Sequence, residues 1–434
     1  MPNPTPAPLA AAFDRIAQDV EGAVAALARM VAVDTSFPPG TGYPAFAALL
    51  EELVAPHGLQ TRRVSVPEAL WRVPGGPARG ERVNLLARRR TGRPALGLYF
   101  HTDTVPPARG WTRDPFALTR EGDRLHGLGA ADMKGSIAAA LLALRTTDAC
   151  GVTLAYDPQF LFCTDEEGGL YPGIRHLAEQ GLVEGHVLNF NGTAAARIWA
   201  GCFGLFNLQL RLTGRSTHAG ETAGSVNAVE AALPVMNALV ALQPAIAARA
   251  SALPAPPAWG DRPLRPSLAL VAAEGGTGSG GQVPDSLTLT ISRRYAPEED
   301  FNAARAEIEQ AIRAALPAGV AAQLDLVGHL MPTADASGPH WPRWQAALGH
   351  GFGYAPGEFR AWGASSSSDF GWVQRATGRR EVLLTGLGRE GNNIHGPDEH
   401  TTTADLIALA RSVLAYLAAD FAPDLMPAEE GPIA

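Results

Sequence analysis

Cysteine is scarce. There are three, Cys150, Cys163 and Cys202, and no two form a C-x-x-C pair, which argues against a disulfide framework and a thiolate zinc site. Charge is sparse too. Charged residues make up 18% of the chain, Lys and Arg form no run longer than Arg88–Arg90, and the formal net charge is −8, a poor match for nucleic acid or an anionic membrane surface. No uninterrupted apolar stretch approaches the ~18–20 residues of a spanning helix. Met1 to Leu9 is Pro-rich and uncharged, without the basic-then-apolar order of a signal peptide. These absences predict a soluble, cytoplasmic protein with no nucleic-acid or membrane partner. No internal repeat is visible, and low complexity is confined to Ser365–Ser368. What remains is a chain of 434 residues, 46% apolar, with ample material for a core. At ~100–200 residues per domain its length predicts two or three domains. Its 47 glycines and 35 prolines imply many turns.

Hydrophobic periodicity predicts an amphipathic helix from Ala10 to Val33, with Phe13, Ile16, Val20, Val24, Leu27 and Val31 on one face. The opening Pro-rich run reads as a frayed arm. A second helix is expected over Ala45–His57. Short apolar runs at Asn84–Ala87, Ala95–Phe100 and Gln159–Cys163 read as buried strands, with a helix at Ser136–Leu144 between the last two. Such alternation implies βαβ units and a mostly parallel sheet, in which ligands sit beyond the carboxyl ends of the strands. After about Gly201 the pattern changes. Phe203–Leu212 alternates apolar and polar, as a strand with one wet face does. Helical stretches near Ser225–Leu242 and Glu299–Ala315 bracket strands at Ser267–Ala272 and Ser286–Ile291, with a Pro-rich loop at Leu253–Pro266. The expected fold is therefore α/β: a mostly parallel-sheet catalytic domain with helices on both faces, formed by 8–202 and 327–434. A smaller α+β dimerisation or lid domain, 203–326, interrupts it.

Four segments carry chemistry: His101–Pro106, Gly127–Gly135, Thr164–Gly168 and Ile394–His400. Singly, each has an ordinary explanation. A strand-terminal His is often structural, Asp132 at a helix start reads as a cap, and Glu166-Glu167 reads as a solvated pair. Gly127-x-Gly129 lacks the third glycine of a dinucleotide loop. Together they place two histidines and three carboxylates at one sheet edge, the ligand types of Zn²⁺, Mn²⁺ or Co²⁺ hydrolases. His101-x-Asp103 suits a ligand and the carboxylate that fixes its tautomer. Adjacent Glu166 and Glu167 suit two jobs, one binding metal and one taking a proton from water.

In these segments the chain resembles the co-catalytic zinc metallopeptidase family that includes acetylornithine deacetylase, succinyl-diaminopimelate desuccinylase, aminoacylase and the glutamate carboxypeptidases. The likeness runs in order along nearly the whole chain. Gly214–Gly220 resembles the family's dimerisation-domain histidine loop, and Gly275 to Arg294 resembles its Gly-rich loop, Pro-Asp step and substrate arginine. The resemblance implies His101 on one metal, Glu167 and His395 on the other, and Asp132 bridging. It implies Asp103 orienting His101, and Glu166 as general base. His218 would reach across a homodimer interface to polarise the scissile group. Arg294 would hold a carboxylate of a small-molecule substrate, with Ser368 of the Ser-rich loop and Asn227 also at the substrate. Phe190, Trp199 and Phe203 read as core.

One position departs from the family pattern. Where the family places an acidic metal ligand before Pro-Thr, this chain has Asn191-Gly192-Thr193. A neutral amide is a weak ligand, so one tightly bound divalent ion (zinc, manganese or cobalt) is expected, with a weak second site. The function implied is hydrolysis of a C–N bond in a small carboxylate-bearing substrate, by an N-acyl amino acid deacylase or small-peptide carboxypeptidase. One alternative is an aminohydrolase releasing ammonia from an aromatic amino acid, as 5-nitroanthranilate aminohydrolase does. The other is an inactive relative serving as a binding module.

Overall fold

The computed structural model describes residues 7–277 and 280–421. Of the expected frayed arm, residues 1–6 lie outside the described residues, as do 422–434 of the expected catalytic domain. The N-terminal helix is two helices, Ala7–Gln18 and Val20–Val31, not one. Asp19 closes the first helix, its N–H donating to the Arg15 carbonyl at 2.9 Å. Its carbonyl accepts hydrogen bonds from Gly22 N at 3.1 Å and Arg145 Nη2 at 2.7 Å, and the break lets both apolar faces reach the core.

The larger sheet has six strands in the spatial order 60–65, 83–88, 157–163, 95–101, 186–189, 383–384. The last four run parallel; 83–88 is antiparallel to 157–163 and to 60–65. The three central apolar runs thus form strands, Val83–Arg88, Ala95–His101 and Asp157–Cys163, almost wholly buried. Burial on both faces is what an apolar strand between helical layers requires. The helix Lys134–Cys150 follows the Gly127–Gly135 turn and is buried along most of its length, which its alanine-rich sequence permits. His101 stands opposite Cys163, and Tyr99 opposite Asn189. The loops after these strands therefore open at one edge.

The smaller sheet has four antiparallel strands in the order 267–275, 286–295, 204–213, 321–330. Gly204–Thr213 alternates buried and half-buried along its length, and helices Ala228–Ala247 and Phe301–Ala315 cover the buried face with a core of their own. Its last strand pairs with Gly204–Thr213 as far as Leu330, opposite Leu205. The expected return at 327 falls inside this strand. Helix Ala228–Ala247 is long and apolar enough, with mean hydropathy 1.4, to cross a membrane by length and composition. Its apolar run is not uninterrupted, since Glu230, Asn237 and Gln243 fall within it without ending the helix. One face of it lies in the small domain's core. A further sheet of three strands, 333–334, 197–202 and 360–364, joins the two parts.

Candidate metal centre and active site

Each parallel strand ends in a residue of the centre or in the loop that holds one. His101 closes its strand; Glu166 and Glu167 follow Cys163; Asn191 follows Asn189; His395 lies in the loop after Leu384. Asp132 stands two residues before helix Lys134–Cys150. Ligand atoms of His101, Asp132 and Glu167 all lie within 4.8 Å of one another. His101 Nε2 is 2.9 Å from Asp132 Oδ1. His395 Nε2 is 3.0 Å from Glu167 Oε1 and 3.5 Å from Asp132 Oδ2, so Asp132 stands between the two imidazoles.

The electrostatics are those of a site short of positive charge. Asp103, Asp132, Glu166, Glu167, Asp369 and Glu399 gather here, and among the described residues none of the six forms an ion pair with a Lys or Arg. Burial pushes the Glu166 carboxyl well above its usual range, and Glu167 upward too. Asp132 is pulled the other way: burial raises it, but His101 and His395 outweigh burial and hold it below the carboxylate range. His101 rises although burial opposes protonation, because Asp132 and its acidic neighbours favour the cation. Hydrogen bonds to Asp132 and Glu167 push His395 up to about 11. Among the described residues, His101 and His395 are the basic side chains in direct contact with the cluster. Imidazole and carboxylate donors around a charge deficit fit a divalent cation.

The supporting contacts refine the expected roles. Asp103 does meet His101, but through its backbone: His101 Nδ1 is 3.0 Å from the Asp103 carbonyl oxygen and 3.9 Å from Oδ1. The other carboxylate oxygen, Oδ2, accepts from Glu167 N at 2.9 Å and so fixes the Glu166-Glu167 turn instead. That turn is anchored from behind by the fully buried pair Arg82–Asp165, at 2.8 Å, and by Tyr43 Oη donating to Asp165 at 2.8 Å. Asn191 donates its side-chain N–H to Glu166 Oε1 at 2.8 Å, an orientation that serves the glutamate.

A cleft of about 400 Å³ opens on this centre. Asp132, Glu166, Glu167, Asn191 and His395 form the acidic part of its wall, and Arg197, Trp199, Arg294 and Ser366–Ser368 form a part with no acid. Arg294 lies next to the end of strand Ser286–Tyr295 and donates to Ser367 Oγ at 2.9 Å. Two expected residues are elsewhere. Asn227 caps helix Ala228–Ala247, its Oδ1 accepting from Val229 N at 3.0 Å and Glu230 N at 3.2 Å, so its oxygen is already used. His218 is exposed, its Nδ1 accepting from Gly220 N, and is absent from the cleft of its own chain.

Sequence reasoning missed several residues. Glu399 accepts three backbone N–H groups, from Gly129, Ala131 and Asp132, at 2.9–3.1 Å, and so shapes the loop that presents Asp132. It lies in the Ile394–His400 segment, but nothing in that segment distinguishes it from a surface acid. Tyr99 Oη donates to buried Asp369 at 2.5 Å behind the centre. Trp199, read as core, is 5% exposed and lines the cleft. Phe190 and Phe203 are core, Phe190 stacking on Phe100 with ring centroids 4.9 Å apart.

Residues 97–419 match the peptidase family M20/M25/M40, and the chain belongs to that family. It is 30% identical over 342 residues to a succinyl-diaminopimelate desuccinylase of Acidiphilium cryptum, an alignment covering 76% of this chain and 84% of that one. Over 155 residues it is 37% identical to an acetylornithine deacetylase of Klebsiella pneumoniae, covering 36% and 40% of the two chains. Among solved structures, a di-peptidase of Saccharomyces cerevisiae superposes with a TM-score of 0.78 at 16% identity, covering 94% and 97%. Human carnosine dipeptidase 1 superposes with 0.75 at 17%, covering 94% and 98%. The chain is thus a metal-dependent hydrolase of carbon–nitrogen bonds.

Proposed function

We propose that the protein hydrolyses the amide bond of a small N-acyl amino acid or short peptide bearing a free carboxylate. The observation behind this reading is one cleft with a His101–Asp132–Glu167 donor set on one wall and Arg294 on the other. His101, Asp132, Glu167 and His395 would hold the divalent ion, zinc or manganese, with one ion bound tightly. When bound, that ion supplies a Lewis acid for the scissile carbonyl and the attacking water.

The remaining work falls to side chains. Glu166 is buried beside the centre and held by Asn191. A carboxylate whose proton affinity burial has raised can take a proton from water and return it to the leaving nitrogen. Arg294 offers a planar, bidentate N–H edge to the substrate carboxylate and fixes the amide against Glu166. His218 would stabilise the developing oxyanion from the second protomer of a homodimer. Two features support that assembly. Lid strand Ser267–Gly275 is paired on one side only, and Val271 on it is 57% exposed. On helix Ala228–Ala247, Val229, Leu233 and Val240 face solvent.

The test is a panel of N-acetyl and N-succinyl amino acids and dipeptides with the zinc- or manganese-loaded protein, scored for free amine and for ammonia. Release of the amino acid from at least one amide is expected. Ammonia from aromatic amines with every amide intact would replace this reading with the aminohydrolase one, and no turnover at all with the binding-module one.

A further inference from the structure

Arg197 opens the strand Arg197–Cys202 and lines the cleft, yet it is 8% exposed. No Asp or Glu among the described residues pairs with it. A buried cation without a counter-ion is costly, and folds rarely keep one without a use. Burial alone drags its guanidinium down to about 10, which still leaves it charged at neutral pH.

Its bonding is half complete. Nε donates to the carbonyl of Trp362 at 3.1 Å, while Nη2 is buried with no hydrogen-bond partner. The guanidinium carbon lies 4.3 Å from the Trp199 ring and 5.2 Å from the Trp362 ring. Strand register holds these rings together, since Trp362 stands opposite Trp199 in a parallel pair. The rings pack against the guanidinium and Nε is committed. That leaves the buried Nη2 as a donor without a partner in a residue that lines the cleft, and a guanidinium with its terminal nitrogens uncommitted can bind a carboxylate through two parallel N–H···O bonds. Arg294, in the same cleft, also has no acidic partner among the described residues. The wall therefore holds two unneutralised guanidiniums.

We propose that Arg197 is a second anion-recognition residue, so that the preferred substrate is a dianionic amide with one anionic group for Arg294 and another, on its acyl part or side chain, for Arg197. This rests on the amide-hydrolase reading above. A purely structural Arg197 would pin strand Arg360–Ala364 through Trp362 and give no preference for charge.

The experiment compares N-succinyl-L-alanine with its half-amide, N-(3-carbamoylpropanoyl)-L-alanine, which has the same length and lacks the terminal charge. The wild-type protein should favour the dianion by at least ~10-fold in kcat/KM, the scale of a charge-assisted hydrogen-bonded pair. Arg197→Gln should bring the ratio near one by slowing the dianion alone, and Arg197→Lys should keep part of the preference. Calorimetric binding of both compounds to Glu166→Gln protein reads the same preference without turnover. A wild-type ratio near one overturns the inference, and so does an Arg197→Gln variant that slows both compounds equally. If Arg197→Gln does not fold, the wild-type ratio and the binding arm decide. Failure of the wild type to cleave either compound or any dipeptide overturns the amide-hydrolase reading instead, and the binding arm still judges Arg197.

Discussion

The two walls of the cleft are built on opposite principles. The acidic wall comes from strand ends of one sheet and from the turn before helix Lys134–Cys150, and none of its acids pairs with a Lys or Arg among the described residues. The other wall comes from three places, strand Ser286–Tyr295 with Arg294, the strand opening at Arg197 and the loop residues Ser366–Ser368, and it lacks negative charge. Neither wall is electrostatically complete. One awaits a cation and the other an anion, and an ionised group in a partly desolvated site gains most from the partner that neutralises it. In the proposed mechanism the chemistry belongs to the first wall and the choice of substrate to the second, so variants of the two should fail in different kinetic constants.

The largest effect is expected on the acidic wall. Glu166→Gln keeps the shape and the contact with Asn191 but removes the proton acceptor. It should lower kcat by at least ~10²-fold, the usual worth of a positioned base, with KM and metal content little changed. Loss of bound metal, or recovery of full rate on adding metal, would show that Glu166 is a ligand and that the wall has no separate base.

That contrast also explains which parts were legible in the sequence. His101, Asp132, Glu166, Glu167 and His395 follow apolar strands or sit beside glycine-rich turns, and the period of a buried strand announces where the edge lies. Val83–Arg88, Ala95–His101 and Asp157–Cys163 could be read for the same reason. Gln60–Ser65 could not, because it is an edge strand with Val64 alone buried. Ala321–Leu330 is exposed at its start and buried only at its end, so the lid seemed to stop several residues early. Arg197 has no local pattern at all: its meaning lies in two tryptophans on different strands and in an acid that is not there. Glu399 is similar, since its partners are backbone N–H groups some 270 positions away. Asn227, expected at the substrate, shows a local role that the motif did not announce, since its Oδ1 caps helix Ala228–Ala247.

The next effect concerns how much positive charge the acidic wall accepts. Asp132 and Glu167 would be the charged ligands, and Asn191 turns its N–H to Glu166. Two divalent ions sharing Asp132 would repel each other at short range with little to offset the repulsion. Elemental analysis after dialysis should find near one ion per subunit. Asn191→Asp should raise occupancy toward two, while costing activity wherever the second ion is absent, because a carboxylate then faces Glu166. Two ions in the wild-type protein would remove the asymmetry argued from Asn191.

Completing the site from a second subunit is a smaller effect but a sharper test of how the arginine wall is assembled. Glu166→Gln and His218→Ala homodimers should each be nearly inactive. After subunit exchange a heterodimer carries one centre with both groups intact, so random mixing should restore about a quarter of wild-type activity in a two-fold dimer. Heterodimers that form and stay inactive would place His218 in its own chain's mechanism, or in none.

The smallest effect asks which wall tolerates acid. His329 lies behind the arginine wall, its Nε2 3.0 Å from Tyr295 Oη and its ring stacked on Phe301 with centroids 4.1 Å apart. Tyr295 adjoins Arg294, and Leu330, next to His329, lines the cleft. Burial, reinforced by Arg175 and Arg375, pulls His329 down to about 4. Its folded value is therefore below the unfolded value of ~6.5. The stability that follows from keeping it neutral is fully present above pH 6.5. It is lost as pH falls toward 4, because the unfolded chain takes up a proton the folded chain refuses. Tm should decline between pH 7 and 5 in the wild type. His329→Gln retains a hydrogen-bonding partner for Tyr295 without the titrating ring, and its decline should be shallower by the contribution of about one proton. Both proteins carry the same acidic wall, so protonation of the metal ligands cancels in the comparison. Equal slopes would mean that His329 does not stay neutral, and that acid attacks the centre rather than the wall facing it.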